Sequence, residues 1–413
     1  MKMMKLSSLG TLRNGMNYDK SSAVCGCKII GVADFGNRVF PDYDSLSEID
    51  SSIVTKDNLL QNGDIVFVRS NGNKNLVGRT MFIHDIKDPV CYSGFCIAFR
   101  PNTDLVYPEY LFYVLRAPFC KKQYGYSQQT NITNLSQGVL GDVDVPVPDL
   151  DTQQKLAKIL SEIDFKIISN TRICVELEAM AKTLYDYWFT QFDFPNAEGK
   201  PYRSSGGEMV WNDQLKREIP KGWTPGTISS LMKIENTSVN PQKLGNALME
   251  HYSIPAFDAN HNPAYEEAGT IESGKYVVDP ECILTSKLNP HFKRLWDPYC
   301  DTENAICSTE FIVYRPRTAW TRPFCYAVLN SEAFYAHMVG KATASTGSRK
   351  RIQPDVSASF ELAIPDEKTM RAFVELYAPI MEKQKALYKE NCELTKLRDW
   401  LLPVLMNGQA TVA

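Results

Sequence analysis

The clearest pattern of apolar and polar positions is a long heptad repeat in the middle of the chain. From Leu156 onward, apolar side chains recur at alternating spacings of four and three residues, and Asn170 is the polar exception. This spacing predicts a coiled-coil helix of roughly 60 Å over residues 150–190. We expect Asp151 or Thr152 to cap its start. The predicted contact positions are Leu156, Leu160, Ile163, Ile167, Asn170, Cys174, Leu177, Ala181, Leu184 and Trp188.

The same spacing returns near the end of the chain. There, Pro379 is expected to bend the helix or to delay its start. Each heptad segment is too long for its apolar face to be covered by one small domain. We therefore expect an antiparallel helix pair in which Asn170 helps to fix the register. The alternative is that each helix belongs to the core of its own domain. The second set of positions is Phe373, Tyr377, Ile380, Gln384, Leu387, Asn391, Leu394, Arg398, Leu401 and Leu405.

The region before each long helix is repeated as well. In each copy, short runs rich in Val, Ile, Phe and Tyr predict strands, and a helical stretch and a proline-containing strand follow. The order of the matching segments is the same in both copies. The matches are LSSLGTL at 6–12 with ISSLMKI at 228–234, YSGFCIAFRP at 92–101 with CSTEFIVYRP at 307–316, and DVPVPD at 144–149 with ELAIPD at 361–366.

These patterns predict an α+β protein built from two related mixed α/β regions and two long helices. We place the two regions at 1–148 and 223–365 and relate them by a pseudo-twofold axis. The long helices then occupy 149–191 and 366–406. Residues 192–222 read as a linker because they are rich in Pro, Gly and Ser, although their aromatic side chains suggest that they pack on something.

Composition narrows the classes of function. The 45 Lys and Arg side chains minus the 48 Asp and Glu side chains give a net charge of −3, which excludes a polycation that holds nucleic acid by bulk charge. No apolar run reaches the ~18 residues that cross a bilayer, and no signal peptide is visible. The 11 cysteines form no C-x-x-C pair, which favours free thiols in the cytoplasm.

Catalytic motifs are missing. GTIESGKY at 269–276 has the Gly and Lys spacing of a phosphate-binding loop but carries Tyr276 where a small hydroxyl is needed. NPHF at 289–292 has one proline fewer than the adenine-binding motif of amino-methyltransferases, and a polar loop explains it more simply. The five histidines have no metal-binding spacing. We therefore expect no catalytic residue and no metal site in this chain.

Local basic clusters lie at matching places in the two copies. Arg and Lys bind phosphates or guanine, and Asn and Gln can read adenine, so these clusters predict DNA contact. Solvated surface charge is the alternative for any single cluster. The candidates in the first copy are Arg69, Ser70, Asn71, Lys74, Arg79, Lys121, Lys122, Gln128, Gln129 and Asn131, and those in the second are Lys287, Asn289, His291, Lys293, Arg294, Lys341, Ser348, Arg349, Lys350 and Arg351.

Several phrases give the chain a specific resemblance. It resembles the specificity subunit of type I restriction–modification enzymes over nearly its whole length. One departure is that the first copy lacks the Ile-Pro-Lys-Gly-Trp lead-in that the second has at 219–223. The matching phrases are VPVPDLDTQQKLAKILSEID at 145–164, FDFPNAEGKPYRSSGGEMVWNDQLKREIPKGW at 192–223, SKLNP at 286–290 and STEFIVYRP at 308–316.

The resemblance implies a function. Each globular region would be a target recognition domain for double-stranded DNA, and the helices would set the spacing of a bipartite, asymmetric target. Two modification subunits would dock on the helices with S-adenosylmethionine, and motor-nuclease restriction subunits would bring ATP and Mg²⁺. The chain itself would do no chemistry and would contact no membrane. The alternative from another class is a coiled-coil scaffold that binds only proteins.

Overall fold

A computed structural model describes residues 2–18, 26–36, 38–73, 76–124, 134–346 and 349–408. The chain divides into two compact units. The first unit combines Met1–Ile168 with Glu393–Ala413, and the second is Ser169–Cys392. Both boundaries fall inside the long helices, so each helix contributes to both units.

The first unit carries a four-stranded antiparallel sheet in the order β2-β8-β5-β6, a three-stranded sheet in the order β4-β3-β7, and an antiparallel pair β1-β9. Its strands are β1 Lys2–Lys5, β2 Gly10–Asn14, β3 Cys27–Ile30, β4 Ser47–Ile49, β5 Ile65–Val68, β6 Thr80–Phe82, β7 Val90–Tyr92, β8 Cys96–Pro101 and β9 Asp144–Val147. Its short helices are α1 Pro108–Arg116, α2 Pro118–Tyr124 and α3 Gln137–Gly141. The long helix α4 follows at Leu150–Tyr185 and continues as a π-helix over Asp186–Thr190.

The second unit repeats this plan with additions. Its strands are β10 Met209–Asn212, β11 Arg217–Pro220, β12 Thr224–Thr227, β13 Met232–Glu235, β14 Ser238–Val239, β15 Leu248–Tyr252, β16 Ala264–Glu267, β17 Lys275–Val277, β18 Ile283–Ser286, β19 Leu295–Trp296, β20 Ala305–Ser308, β21 Phe311–Pro316, β22 Thr343–Thr346, β23 Arg349–Arg351 and β24 Glu361–Ile364. Its helices are α5 Ile228–Leu231, α6 Ile254–Asn260, α7 Arg322–Asn330, α8 Glu332–Lys341 and α9 Pro354–Ala358, and the long helix α10 spans Glu367–Met406.

The predicted internal repeat is confirmed by strand order. The sheet β13-β21-β18-β19 matches β2-β8-β5-β6 strand for strand, and the pair β12-β24 matches β1-β9. In both units a parallel pair, β3-β7 or β15-β20, joins an antiparallel neighbour. The repeated arginine is structural in each copy, because Arg100 holds Asp64 at 2.7 and 2.9 Å and Arg315 holds Glu235 at 2.7 Å.

The long helices pack against each other within each unit. In the second unit the Asn170 amide donates to Asn391 at 3.0 Å, and the Gln384 amide donates to the Cys174 carbonyl at 3.0 Å. Residue numbers increase along α4 while the numbers of their partners on α10 decrease. The two helices therefore run antiparallel there, as predicted. Asn170 also reaches Glu390 at 2.8 Å, which makes this polar layer specific to one register.

Two details of the helices differ from the expectations. Asp149 caps α4, because its carboxylate accepts the Thr152 amide at 2.9 Å and the Thr152 hydroxyl at 2.8 Å, so the expected cap at Asp151 or Thr152 is wrong. These two donors lower the pKa of Asp149. Helix α10 begins at Glu367, well before Pro379, so the delayed start is also wrong.

The segment at 192–222 is folded. The ring of Phe194 stacks on Tyr202 at 4.7 Å and on Trp223 at 5.1 Å, between ring centroids. Strands β10 and β11 pair as a hairpin within it. Phe192 and Phe194 belong to the main apolar core of the second unit, so the linker is part of that unit.

Candidate nucleic-acid interface

Three segments of the first unit converge at the end of β5. The Leu135 amide donates to the Arg69 carbonyl at 2.8 Å, and Ser70 forms an antiparallel bridge with Asn134. The carbonyl of Phe95, in the turn between β7 and β8, accepts the amides of Arg69 at 2.7 Å and Ser70 at 3.3 Å. The predicted cluster at 68–79 is thus fixed by backbone bonds to two other segments.

The second unit builds the same junction with different side chains. The Asn289 amide donates to the Lys350 carbonyl at 2.7 Å, and the Lys350 amide donates to the Asn289 side chain at 2.9 Å. Leu288 forms an antiparallel bridge with Arg351, and the Lys287 amide donates to the Glu310 carbonyl at 2.9 Å. The structure therefore brings together the clusters at 286–294 and 341–351, which are far apart in sequence.

Several predicted cations brace the junction through ion pairs. Arg294 binds Asp258 through two bonds of 2.6 and 2.8 Å. Arg351 binds Glu310 at 2.8 and 3.0 Å, and this partner raises the pKa of the Arg351 guanidinium. Lys293 donates to the Asn330 carbonyl at 2.9 Å, and burial lowers the pKa of its ammonium. These three side chains hold loops in place, whatever else they contact.

The other predicted side chains are distributed around the junctions. His291, Lys341, Arg349 and Lys350 are exposed, whereas Lys287 and Asn289 are half-buried. Arg69, Ser70, Asn71 and Arg79 are half-buried, and Arg79 donates to the Gly36 carbonyl. Lys121 and Lys122 lie on α2. Lys74, Gln128, Gln129, Asn131 and Ser348 lie outside the described residues.

Some junction residues are missed by sequence reasoning. Asp258 and Glu310 hold the two arginines, and Phe95 supplies the carbonyl that anchors Arg69 and Ser70. Acidic residues carry no signal for DNA contact, which hides the first two. Phe95 and Glu310 are, however, paired by the repeat of YSGFC with CSTEF, and that alignment points to one shared structural position.

The predicted helix contact positions are all buried or half-buried. On α4, Leu156, Leu160 and Asn170 are buried, and the remaining members are half-buried: Ile163, Ile167, Leu177 and Leu184. On α10, Leu387 is buried, whereas Ile380, Leu394 and Leu401 are half-buried. The helical stripe read from the sequence is therefore the stripe that faces protein.

The described part of the chain contains no group of three or more His, Cys, Asp or Glu side chains that could hold a metal ion. Its ten described cysteines are free thiols, and none of its helices is long and apolar enough to cross a membrane.

Comparison with known proteins finds similarity to type I restriction specificity proteins. Residues 1–179 match the family model described as the type I restriction modification DNA specificity domain. The chain is 25% identical to the MjaIX specificity subunit of Methanocaldococcus jannaschii, with 75% of this chain and 70% of that protein covered. It is 22% identical to the HindI specificity subunit of Haemophilus influenzae, with 85% and 87% covered.

The fold agrees with that class. A crystal structure of the S subunit from a type I restriction–modification system of M. genitalium superposes with a TM-score of 0.58 at 12% identity, covering 98% of this chain and 96% of that one. The resemblance seen in the sequence is thus confirmed, because the family model and the curated relatives that match this chain are all type I specificity domains or subunits.

Proposed function

We propose that this chain reads a bipartite, asymmetric sequence in double-stranded DNA, with one unit for each half-site. The observation that carries the proposal is the junction that both units build from equivalent segments. Each junction presents basic and amide side chains on a fixed backbone, which suits contact with phosphates and base edges. The side chains differ between the units, Arg69 and Ser70 in one and Lys287 and Asn289 in the other. Two different readers give an asymmetric target.

The long helices are the proposed docking site for two modification subunits. Several apolar side chains on α4 and α10 remain exposed, and a docked partner would cover them. They include Val175 (63% exposed), Met180 (58%), Leu376 (53%) and Trp400 (63%). A partner that covers them would recover roughly 1.5–3 kcal/mol for each side chain that becomes fully buried.

The catalytic chemistry is assigned to the partners. The modification subunits would bind S-adenosylmethionine and methylate adenine, and the restriction subunits would use ATP and Mg²⁺. In this division of roles the near-neutral chain contributes discrimination between sequences, while the partners contribute much of the charge-driven affinity.

Retention of DNA by the assembled complex tests this proposal. The full chain is copurified with its modification subunit and mixed with fragments of host DNA at moderate salt, with the modification subunit alone as control. We expect specific fragments to be retained only when this chain is present. Assembly without any DNA retention would favour the protein-only scaffold, and Mg²⁺-dependent cleavage by this chain alone would contradict a non-catalytic role.

A further inference from the structure

Two exposed phenylalanines stand out against the rest. Of the 19 phenylalanines, all within the described residues, only Phe95, Phe165 and Phe292 are exposed. Phe165 lies on α4, but Phe95 and Phe292 lie on loops, with 61% and 54% of their surface exposed. Leaving a phenylalanine ring in water forgoes roughly 1.5–3 kcal/mol of burial energy. Both loop phenylalanines lie at the junction of the candidate interface.

Phe95 is mounted on a rigid turn. The Cys96 amide donates to the Ser93 carbonyl at 2.8 Å, and the Gly94 amide donates to the Met16 carbonyl at 2.7 Å. Gly94 is closely approached by the Asn17 side chain, which a side chain at position 94 would displace. The Phe95 carbonyl is held by the amides of Arg69 and Ser70. The backbone that carries the exposed ring is therefore fixed from three directions.

Phe292 is mounted on a different rigid turn. Its amide donates to the Asn289 carbonyl at 2.9 Å, and Asn289 has the left-handed backbone conformation, with φ of 48°. Asn289 in turn is bonded to Lys350 through both backbone and side chain. The Arg294 guanidinium lies 5.1 Å from the ring centroid of Phe292, and the His291 ring lies 4.2 Å away.

We propose that Phe95 and Phe292 are wedges that stack on or insert between base pairs, one in each half-site. This inference rests on the proposed DNA-reading function and extends it to a mode of contact. Phenylalanine inserted at a base step unstacks it and bends the duplex, and stacking on an aromatic ring tolerates every base. Such a contact gives shape readout and does not depend on the direct reading of base edges by polar side chains.

The surroundings favour DNA over a protein partner as the occupant. Phe95 is bonded through its backbone to Arg69, and Phe292 is flanked by His291, Arg294 and the Lys350 segment. For Phe292 the Arg294 guanidinium lies beside the ring itself, and a cation beside an exposed aromatic ring is typical of nucleic-acid surfaces. The two rings are not at equivalent repeat positions, because the repeat aligns Phe95 with Glu310. The same feature has therefore been placed twice, by different residues, at the same kind of junction.

The test uses the complex of the full chain with its modification subunit and a duplex that carries the methylated target sequence of the host. 2-Aminopurine placed at successive steps reports unstacking through its fluorescence. We expect the wild-type complex to unstack one step in each half-site. Phe95→Ala should abolish the signal in one half-site only, and Phe292→Ala in the other. Each should weaken DNA binding by roughly 5- to 150-fold, the equivalent of about 1–3 kcal/mol.

Matched controls separate the possible failures. Val139→Ala and Val339→Ala remove side chains of equal exposure, 45%, from α3 and α8 of the two units and should change neither readout. Phe95→Tyr and Phe292→Tyr keep the ring and should retain the signal. A wild-type complex that binds its target without unstacking any step would contradict the wedge proposal but not the proposed function. Unchanged affinity in both alanine variants would have the same meaning. Lost assembly with the modification subunit would make the rings protein contacts. A wild-type complex that binds no DNA contradicts the proposed function instead.

Discussion

At the scale of single residues, a buried charge cluster in the first unit ties both long helices to α1. Asp164 of α4 is 1% exposed, and its carboxylate accepts Arg398 of α10 at 2.8 Å and the Tyr113 hydroxyl at 2.8 Å. Burial, together with this carboxylate, raises the pKa of Tyr113 far above its usual value, which keeps the hydroxyl a donor. A buried carboxylate is tolerated only while such partners remain.

Removal of the arginine therefore has a large expected cost. Arg398→Ala leaves Asp164 buried with the Tyr113 hydroxyl as donor and Arg116 as the nearby cation, and breaking a buried pair in this way costs up to about 3–5 kcal/mol. We expect the free energy of unfolding of the first unit to fall by about that amount in urea titrations. Arg172→Ala, which removes an exposed pair with Glu176 on the same helix pair, should cost less than about 0.5 kcal/mol. Equal effects of the two substitutions would show that the buried cluster is not specifically stabilising.

Residue roles are the part that sequence reasoning reached least. The sequence places Arg294 and Arg351 in basic clusters, but it does not show Asp258 or Glu310 beside them, because those partners are 36 and 41 positions away. Likewise Phe95 reads as one more apolar residue in a strand-rich run. Tertiary contacts decide which side of a turn is exposed to water. In this turn, Met16 and Asn17 contact Gly94.

At the scale of elements, the predicted helix bounds are accurate where the heptad repeat extends over many residues. The second helix is predicted at 366–406 and found at Glu367–Met406, because ten heptad positions define one stripe. The helix continues through Pro379 and does not start after it. Buried Tyr377 and Met381 hold the helix in place on both sides of the exposed proline. Tertiary packing of this kind outweighs the roughly 3 kcal/mol that a proline costs in a helix. The cap at Asp149 was missed because it lies about two turns before Leu156, the first position of the apolar stripe.

A charge inside the helix stripe should separate the pair. Leu177→Asp puts a carboxylate at a half-buried heptad position of α4 in the second unit. Burial of a charge without a partner is unfavourable. We expect loss of helix pairing and weaker docking of the modification subunit, seen as a shift to free chain in size-exclusion chromatography. Leu177→Met, which keeps an apolar side chain of similar size at the same position, is the control and should leave assembly intact. A Leu177→Asp complex that elutes like wild type would contradict the importance of this stripe.

At the scale of the whole molecule, the net charge of −3 excludes a polycation that holds DNA by bulk charge. Several of its cations are neutralised by carboxylates in the structure: Arg100 by Asp64, Arg294 by Asp258, and Arg351 by Glu310. A chain of this kind is expected to distinguish sequences without gripping DNA tightly by itself. The repeat supplies two units with the same strand order and different junction side chains, and this duplication could be predicted from collinear matches alone.

Methylation mapping of host DNA tests the central claim most directly. Genomic DNA is sequenced for modified adenine in the strain that carries this gene, in a strain that lacks it, and in the lacking strain with the gene restored. We predict one bipartite, asymmetric methylated motif that disappears with the gene and returns with it, while other motifs stay unchanged. An identical set of methylated motifs in all three strains, with the modification subunit expressed in each, would contradict the account.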